Sequence, residues 1–242
     1  MFKGKSFSLV LPAYNEESHI RKNIDSFWKN EVFDEIIAVD NNSTDNTAVE
    51  IKKTKAQYLQ ETIQGYGQAL RKGMEYSKCD YIVTCEPDST FNANDIFKFL
   101  AYIDDFDCIF GTRTTKSLIH DRAKMKFSLR IGNILVAKML EYLFLGPTLS
   151  DVGCTYKVIS RKAYESIKNN LKVTGSEFQP ELMINLILKK YKILEIPVNY
   201  LEREGKSKIT YNFTSSFKLA VKMIILILRL RIKSIFNKNI LK

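Results

Sequence analysis

The stretch YIVTCEPDST, residues 81–90, joins a short apolar run to two closely spaced acidic side chains. Tyr81–Thr84 has the length and composition of a buried β-strand. Glu86 and Asp88 follow directly, so we expect them at the carboxyl end of that strand, where open α/β sheets bind ligands. Two acidic groups at this spacing repel each other unless a cation lies between them, and carboxylate oxygens suit Mg²⁺ or Mn²⁺. The same residues also form turns well, so the stretch alone leaves a metal site and a plain turn equally open.

The rest of the first half alternates short apolar runs with amphipathic segments, which is the pattern of βαβ units. Strands are predicted at Phe7–Leu11, Glu35–Val39, Ala56–Leu59, Tyr81–Thr84 and Asp107–Phe110. Helices are predicted near residues 16–29, 45–53, 66–77 and 92–102, the second of them capped by the Ser43-Thr44-Asp45 cluster. The expected fold class is therefore α/β with a mostly parallel central sheet, and the chemistry should collect in the loops at one edge of that sheet.

The second half predicts further elements of the same kind. They are a helical stretch at 118–145 ended by Gly146-Pro147, a strand at Val152–Ser160, a helix at 176–190, a strand at Lys192–Ile196 and a loop at 202–208. No repeat or linker interrupts the pattern. We therefore predict one domain over residues 1–210 and a basic amphipathic helical tail over residues 211–242.

The composition is that of a globular protein, with 242 residues, 45% of them apolar and 26% charged. Four cysteines without a CxxC pair predict reduced thiols and a cytoplasmic location, and two scattered histidines are too few for a zinc site. No apolar run has the length of a membrane-spanning helix. The net charge of +10 lies almost entirely in the last 40 residues. A neutral domain with a basic end is not the pattern of a nucleic-acid-binding protein.

Polar side chains follow the first two predicted strands. The first strand runs into LPAYNEE, in which Pro12 is expected to end the strand, Tyr14 offers a face on which a base can stack, and Glu16 can bind a ribose hydroxyl. After the second strand, Asp40 and Asn41 either read the polar edge of a base or cap the next helix. A plain strand-to-helix turn with acidic residues in its first turn is the alternative for the first motif.

Together these motifs are more specific than any one of them. LPAYNEE, VDNNSTDNT, GYGQALRKG, EPD and GTR occur in an order that resembles glycosyltransferase family two. Downstream, SDVGCTYK, EFQPE and EIPVNY resemble the polyprenyl-phosphate (dolichyl-phosphate) mannose and glucose synthases. The resemblance spans about residues 6–210. It implies a single GT-A-type, Rossmann-like domain that binds a nucleotide sugar and transfers a hexose with inversion, using Mg²⁺ or Mn²⁺ as cofactor.

The resemblance also assigns residues. Those that would bind the nucleotide sugar are Pro12, Tyr14, Glu16, Val39, Asp40, Asn41, Glu86, Pro87, Asp88, Thr90, Arg203 and Lys208. Among them, Glu86 and Asp88 match the metal-binding DxD motif and Thr90 supports the metal–diphosphate site. The candidate catalytic residues are Asp88, Arg113, Arg130, Asp151, Glu181 and Arg203. Arg113 and Arg130 match arginines that hold phosphates or sugar, a role that suits the two-pronged hydrogen bonding of guanidinium.

The chain departs from the family pattern at three points. Glu86 replaces the first aspartate of DxD and is one methylene longer, which allows it to reach a metal through water. Asn41 stands where the family usually has aspartate. The loop from Arg203 to Lys208, which would close on the diphosphate, is one residue shorter than in the mannose synthases. The departures leave the metal site in place, but the donor base, GDP- or UDP-linked, and the sugar stay open.

The acceptor decides whether the enzyme needs a general base. A hydroxyl acceptor needs one, for which Asp151 and Glu181 are the candidates. A lipid phosphate is already anionic and needs only positive groups to hold it. We predict a polyprenyl phosphate acceptor, with a sugar hydroxyl in surface polysaccharide or glycolipid synthesis as the alternative. A non-catalytic nucleotide-binding protein is a further alternative, whereas a dinucleotide oxidoreductase is excluded because no GxGxxG motif opens the first helix.

Residues 213–236 form an apolar stretch with a basic stripe. At 100° per residue, Lys218, Lys222, Arg229 and Lys233 lie within one narrow sector. Such a helix suits an anionic membrane surface, so we predict a peripheral protein at the cytoplasmic face of a membrane. The alternative is a helix docked on its own domain or on a second subunit, which leaves a homo-oligomer open.

Overall fold

A seven-stranded sheet forms the centre of the computed structural model, which describes residues 1–123, 125, 127–203 and 213–236. The strands are β1 Phe7–Ala13, β2 Glu35–Asp40, β3 Gln57–Gln60, β4 Tyr81–Thr84, β5 Cys108–Thr112, β6 Lys157–Ser160 and β7 Ile193–Pro197. Their order across the sheet is β3-β2-β1-β4-β6-β5-β7. Only β6 runs antiparallel to its neighbours, so the mostly parallel α/β sheet that the sequence predicts is confirmed.

Eight α-helices cover both faces of this sheet in the described residues. They are α1 Ile20–Trp28, α2 Thr47–Lys52, α3 Tyr66–Tyr76, α4 Ile96–Leu100, α5 Phe127–Phe144, α6 Arg161–Ile167, α7 Phe178–Leu188 and α8 Phe213–Phe236. Helices α1, α2 and α4 pack on one face, and α3, α5, α6, α7 and α8 pack on the other. None of the helices described combines the length and the apolar character needed to cross a bilayer.

Strand β1 shows why the centre of the sheet is apolar on both sides. Leu9 and Leu11 point into the core on the α1 face, whereas Val10, between them, points into the core on the α3 face. All seven residues of the strand are buried. A parallel strand covered by helices on both faces needs such a continuous apolar run rather than an alternating one.

The register of the central strands brings the polar loops together. Ala13 lies opposite Asp40 across β1 and β2, and Val10 lies opposite Thr84 across β1 and β4. Because these strands are parallel, the segments that follow them leave the sheet at one edge. The loops that contain Tyr14 and Glu86 are therefore neighbours.

Helix α3 lies unusually close to the sheet beneath this edge. A Cβ atom built on Gly73 would approach Val10 Cγ1 to 2.4 Å and Val39 Cγ2 to 2.9 Å. Only glycine allows this approach, so Gly73 sets the distance between α3 and the two central strands.

Several predicted boundaries were wrong. Pro12 does not end β1: it pairs with Val39, and its missing N–H is tolerated because β4 pairs with β1 only as far as Val10. Helix α1 begins at Ile20 rather than near residue 16. Helix α2 begins at Thr47 rather than at residue 45. Asp45 lies before the helix, where its carboxylate accepts a hydrogen bond from the N–H of Thr47.

The second half contains the larger differences. The helix predicted from residue 118 begins at Phe127, because Ile119 pairs with Tyr200 instead. The strand predicted at Val152–Ser160 is confined to β6, Lys157–Ser160. Its first part is a buried loop whose alternating apolar residues imitate a strand. Helix α6 was not predicted.

Candidate active site

A cavity of about 250 Å³ lies at the carboxyl edge of the central strands. It is lined by Pro12, Ala13, Tyr14, Glu16, Asn41, Gln64, Gly65, Tyr66, Ala69, Glu86, Pro87, Asp88, Gly175, Ser176 and Arg203. Eight of these residues belong to the predicted nucleotide-sugar set. A larger surface depression of about 420 Å³ around Arg71 and Lys168 contains none of that set. The smaller cavity is therefore the candidate site.

The two acidic side chains that follow β4 lie in this cavity with unequal surroundings. Asp88 is 1% exposed, and its Oδ1 accepts hydrogen bonds from the N–H and the hydroxyl of Thr90. Its Oδ2 makes no hydrogen bond among the described residues, although the Nη1 of Arg203 lies 2.9 Å away as an ion pair. Burial, followed by the charge of Asp88, raises the pKa of Glu86 to about 8.

This arrangement fits a divalent cation. The ligands are hard carboxylate oxygens, one of them buried without a hydrogen bond, and a positive ion would relieve the repulsion that the Glu86 pKa records. In the described part of the chain, no group of three or more histidine, cysteine or acidic side chains has an arrangement that could hold a metal ion by itself. Glu86 and Asp88 would therefore leave further coordination positions for water and diphosphate oxygens.

Arg203 links the segment after β7 to the loops that follow β1 and β4. Its Nη1 pairs with Asp88, and its Nη2 donates to Oε1 of Glu16 at 3.2 Å. The other oxygen of Glu16 contacts Nε2 of His19, whose Nδ1 lies 2.8 Å from the hydroxyl of Ser18. The structure thus brings Glu16, Asp88 and Arg203 together. Lys208, predicted in the same loop, lies outside the described residues.

The predicted base-reading residues are less open than the sequence indicates. The Nδ2 of Asn41 donates to the carbonyls of Glu61 and Ile63, and its Oδ1 accepts from the N–H of Gly65. Asn41 lines the cavity, but its amide is occupied in holding the loop before α3.

Two neighbours of Asn41 do not line the cavity. Val39 is buried in the core. Asp40 accepts hydrogen bonds from the N–H of Ser43 and, at 3.4 Å, from the hydroxyl of Tyr58. Asp40 therefore holds the turn that leads to α2.

A second buried ionic cluster lies beyond the cavity, between β5 and the loop before β6. Asp151 is fully buried, and its carboxylate accepts from Nε and Nη2 of Arg113 at 2.8 and 2.9 Å and from the Arg113 N–H. Burial alone would raise the pKa of Asp151, but the Arg113 guanidinium outweighs it and the pKa is lowered.

Glu195 of β7 supports this cluster and was not among the predicted residues. Its carboxylate accepts from the N–H groups of Ser150 and Asp151 and from the Ser150 hydroxyl. The contact joins residues 44 positions apart, which the EIPVNY motif could not reveal.

Arg130 lies in the first turns of α5. Its guanidinium stands over the ring of Phe127, with 5.7 Å between the guanidinium carbon and the ring centroid. Its buried Nε has no hydrogen-bond partner within the described ranges. The contacts described do not join Arg130 to the cavity.

Two glutamates at the start of α7 have different surroundings. Glu181 is 3% exposed, and its carboxylate accepts hydrogen bonds from the N–H groups of Lys172 and Val173, so it anchors the loop before α7. Glu177 was not predicted. A Cβ built on cavity-lining Gly175 would meet its Oε2 at 2.6 Å, so the Glu177 carboxylate lies beside the cavity. The EFQPE motif contains both acids, and only the geometry separates them.

The model of the family described as "Glycosyl transferase family 2" matches residues 8–168. The chain is 29% identical over 206 residues to a dolichyl-phosphate hexose transferase of Haloferax volcanii, covering 84% of this chain and 86% of that protein. It is 28% identical to the low-salt glycan biosynthesis hexosyltransferase Agl6 of the same organism, of whose length it spans 50% while 84% of this chain is covered. A dolichyl-phosphate beta-glucosyltransferase of Saccharomyces cerevisiae is 28% identical, with 90% of this chain and 73% of that protein covered.

A solved structure shows the same fold. Glucosyl-3-phosphoglycerate synthase from Mycobacterium tuberculosis, in complex with Mn²⁺, UDP and glucosyl-3-phosphoglycerate, superimposes with a TM-score of 0.70. The two sequences are 18% identical, and the match covers 94% of this chain and 80% of that one. The GT-A-type fold expected from the sequence is confirmed.

Proposed function

The chain belongs to glycosyltransferase family 2, and we propose that it transfers a hexose from a nucleoside-diphosphate sugar to a polyprenyl phosphate at the cytoplasmic face of a membrane. The bond between the anomeric carbon and the diphosphate would break as a lipid phosphate oxygen attacks from the opposite side. The names of two relatives, a dolichyl-phosphate hexose transferase and a dolichyl-phosphate beta-glucosyltransferase, support this class of acceptor.

Glu86 and Asp88 are the residues that would hold Mg²⁺ or Mn²⁺. When bound, such an ion supplies positive charge that stabilises the departing diphosphate. Thr90 fixes the Asp88 carboxylate through two hydrogen bonds, so one oxygen stays turned toward the cavity. Arg203 adds a guanidinium beside the same oxygen, where it can hold a phosphate of the donor.

One observation carries the choice of acceptor. The carboxylates of both predicted general bases are occupied by hydrogen bonds: Asp151 by Arg113, and Glu181 by backbone N–H groups. The pKa of Asp151 is also lowered, which makes it a weaker base. An anionic phosphate oxygen needs no base, so this geometry supports the phosphate acceptor.

Product analysis tests the proposal. Purified protein with Mn²⁺ is mixed with radiolabelled GDP-mannose, UDP-glucose or UDP-N-acetylglucosamine and with polyprenyl phosphate in detergent. We expect one donor to give a labelled product that extracts into organic solvent and is labile to mild acid. Absence of lipid-linked label with every donor would rule the proposal out, and transfer that persists after EDTA treatment would rule out the metal.

Glu177 supports a second candidate, transfer to a sugar hydroxyl. Its carboxylate lies beside the cavity, and no hydrogen bond or ion pair joins it to the rest of the described chain. Glu177→Gln separates the two candidates, because removing a general base slows hydroxyl transfer about 10² to 10⁴-fold. Transfer to a phosphate should change less than threefold. Glu165→Gln, on an exposed face of α6, is the matched control.

The membrane part of the proposal rests on the outer surface of α8. Met223 and Ile227 are buried against α5 and α7, so one side of the helix docks on its own domain. The opposite side carries exposed apolar residues, which are Phe217, Val221, Ile225, Leu228, Ile232 and Ile235. With about 100° per residue they fall in one sector of about 80°, here called the apolar stripe.

The basic residues of α8 border the apolar stripe. Lys218, Lys222, Arg229 and Lys233 are all exposed. They occupy the next sector of the helix surface, about 60° wide. An apolar stripe beside a basic one is complementary to an anionic bilayer, whose headgroups and acyl chains lie at adjacent depths. This charge pattern makes the anionic bilayer the proposed occupant of the surface.

Vesicle sedimentation tests the surface. Met223 and Ile227 belong to the core, so substitutions on the stripe are cleaner than removal of the helix. Ile225→Glu with Ile232→Glu should reduce binding to phosphatidylglycerol vesicles at least tenfold, whereas Val49→Glu, an exposed apolar position on α2, should not. Equal binding by all three proteins would refute the proposal. A change in elution volume without a change in vesicle binding would indicate a second copy of the chain instead.

A further inference from the structure

Tyr66 is a cavity-lining residue whose role neither the motifs nor the relatives define. It is the first residue of α3 and lines the cavity together with Glu86 and Asp88. The cavity is also lined by Gly175 and Ser176, from the loop that Glu181 anchors. Burial, followed by the charge of Glu86, raises the pKa of Tyr66, so its hydroxyl keeps its proton at physiological pH.

Gln179 fixes the direction of that hydroxyl. Gln179 is 1% exposed, and its Nε2 donates a hydrogen bond to the Tyr66 oxygen at 2.9 Å. A phenol oxygen that already accepts one hydrogen bond has its own hydrogen left to donate. The remaining amide oxygen, Oε1 of Gln179, is buried and has no hydrogen-bond partner among the described residues.

The pair therefore offers the Tyr66 hydroxyl hydrogen and the Gln179 Oε1 atom, for which the described residues provide no hydrogen-bond partner. Burying a polar atom without a partner costs about 1–3 kcal/mol, so such atoms are rare unless a ligand completes them. Tyr66 lines the same cavity as Glu86 and Asp88, which would hold the diphosphate, and as Gly175, beside which lies Glu177, the candidate base for an acceptor hydroxyl. Along a nucleotide sugar, the group between the diphosphate and the acceptor is the hexose.

We propose that the Tyr66 hydroxyl, oriented by Gln179, donates a hydrogen bond to an oxygen of the donor hexose and so helps to select the sugar. The inference rests on the proposed function, because it assumes a nucleotide-sugar donor. Tyr66 contacts the substrate, and Gln179 is a positioning residue that acts through it. Removing a hydrogen-bond donor that reads a sugar oxygen weakens the sugar complex without weakening the complex with the nucleotide alone.

Calorimetric titration separates sugar contact from nucleotide contact. Wild type, Tyr66→Phe and Gln179→Met are titrated, with Mn²⁺, against the sugar nucleotide that the wild type turns over and against the matching nucleoside diphosphate. We expect Tyr66→Phe to weaken binding of the sugar nucleotide about 10- to 100-fold and to leave nucleoside diphosphate binding within twofold. Gln179→Met should weaken sugar nucleotide binding in the wild-type background but add nothing to Tyr66→Phe, since it acts through the same hydroxyl.

Tyr81→Phe is the matched control, because the Tyr81 hydroxyl donates to the Ile103 carbonyl at 3.1 Å and lines no part of the cavity. Equal weakening of both ligands by Tyr66→Phe would place its contact on the diphosphate and overturn the inference, as would no weakening at all. If Tyr66→Phe does not fold, Gln179→Met alone must show the difference between the two ligands. A wild type that binds no sugar nucleotide would instead refute the proposed function itself.

Discussion

Two buried acidic sites in this protein, Glu86 with Asp88 and Asp151 with Arg113, differ in how their charge is balanced. Asp151 has both oxygens hydrogen-bonded, three times to Arg113, and its pKa is lowered. Asp88 has one oxygen without a hydrogen bond, and its neighbour Glu86 has a pKa raised to about 8. The Asp151 site is complete within the protein, whereas the Glu86–Asp88 site, even with Arg203 beside it, still favours a further positive charge.

The difference shows how burial serves two purposes in one sheet. A buried acid matched by a guanidinium fixes a loop, and removing one partner leaves an uncompensated charge. Two buried acidic groups whose mutual repulsion is not fully balanced by nearby positive charge instead favour the binding of a cation. Substitutions at the two sites should therefore affect different properties, activity at one and stability at the other.

The largest expected effect is the loss of activity in Asp88→Asn. Removing a carboxylate that is proposed to bind the metal should lower the transfer rate about 10³-fold, because the charge on the leaving diphosphate would no longer be balanced. The free energy of unfolding should stay within about 1 kcal/mol, since the loss of the ion pair with Arg203 is offset by the removal of one of two mutually repelling groups. Initial rates and urea denaturation measure the two quantities. Turnover within tenfold of the wild type would contradict the metal assignment.

Asp151→Asn should mainly affect stability rather than activity. It leaves the Arg113 guanidinium buried without a counter-ion, so the free energy of unfolding should fall by about 3 kcal/mol. Urea denaturation checks this value. Asp104→Asn, which breaks an exposed pair with Lys3, is the control and should change little. A stability equal to the wild type would mean that the Asp151–Arg113 pair does not stabilise the fold.

Substitution of Lys157, which lies near Asp151 and Arg113, should have a smaller effect on stability, and one that depends on pH. Lys157 is fully buried and donates to the Cys154 carbonyl, and burial lowers its pKa from 10.5 to about 8. Between these values the unfolded chain binds more protons than the folded one, so the free energy of unfolding rises with pH. From pH 7.5 to 9.5 the wild type should gain about 2 kcal/mol relative to Lys157→Met.

Comparing the two proteins at each pH cancels the titration of every other group that the substitution leaves alone. Lys29→Met, at an exposed position after α1, is the control, and its free energy of unfolding should change with pH as that of the wild type does. A difference in the free energy of unfolding between wild type and Lys157→Met that stays constant from pH 7.5 to 9.5 would show that the buried lysine does not titrate in this range.

Glu181→Gln should have the smallest effect. Glutamine keeps one acceptor oxygen for the N–H groups of Lys172 and Val173, and it removes a charge that burial disfavours, as the raised pKa of Glu181 indicates. The free energy of unfolding should fall by about 1 kcal/mol or less, and turnover should change less than threefold. Thermal melting and initial rates provide the measurements. A loss of turnover above tenfold would return Glu181 to the role of general base.

The sequence predicted the elements whose signal is local. The apolar runs of β1, β2 and β4 stand out because both faces of these strands are buried. The acids that follow β4 indicated a site only together with the other motifs, because the stretch alone is equally compatible with a plain turn. The order of motifs supplied the family. Helix α6 was missed because its seven residues are too few for a clear periodicity.

What the sequence could not predict depends on contacts between distant residues. Asn41 looks available for a base, yet three backbone groups of the loop before α3 occupy its amide. Asp151 looks like a base, yet Arg113, 38 positions earlier, engages it fully. Glu177 and Glu181 cannot be told apart from the sequence. In the structure, the Glu177 carboxylate lies beside the cavity, whereas the Glu181 carboxylate accepts hydrogen bonds from the loop before α7.

The contact of Arg203 with Glu16 joins residues 187 positions apart. The candidate cavity is therefore assembled from segments that are far apart in the chain, and a ribosome must release Arg203 before this contact can form. Contacts of such long sequence separation form late, since the entropy of closing the loop must be overcome first. A nascent or truncated chain that ends before residue 203 lacks this contact. Sugar-nucleotide binding should thus report the last step of folding rather than the first.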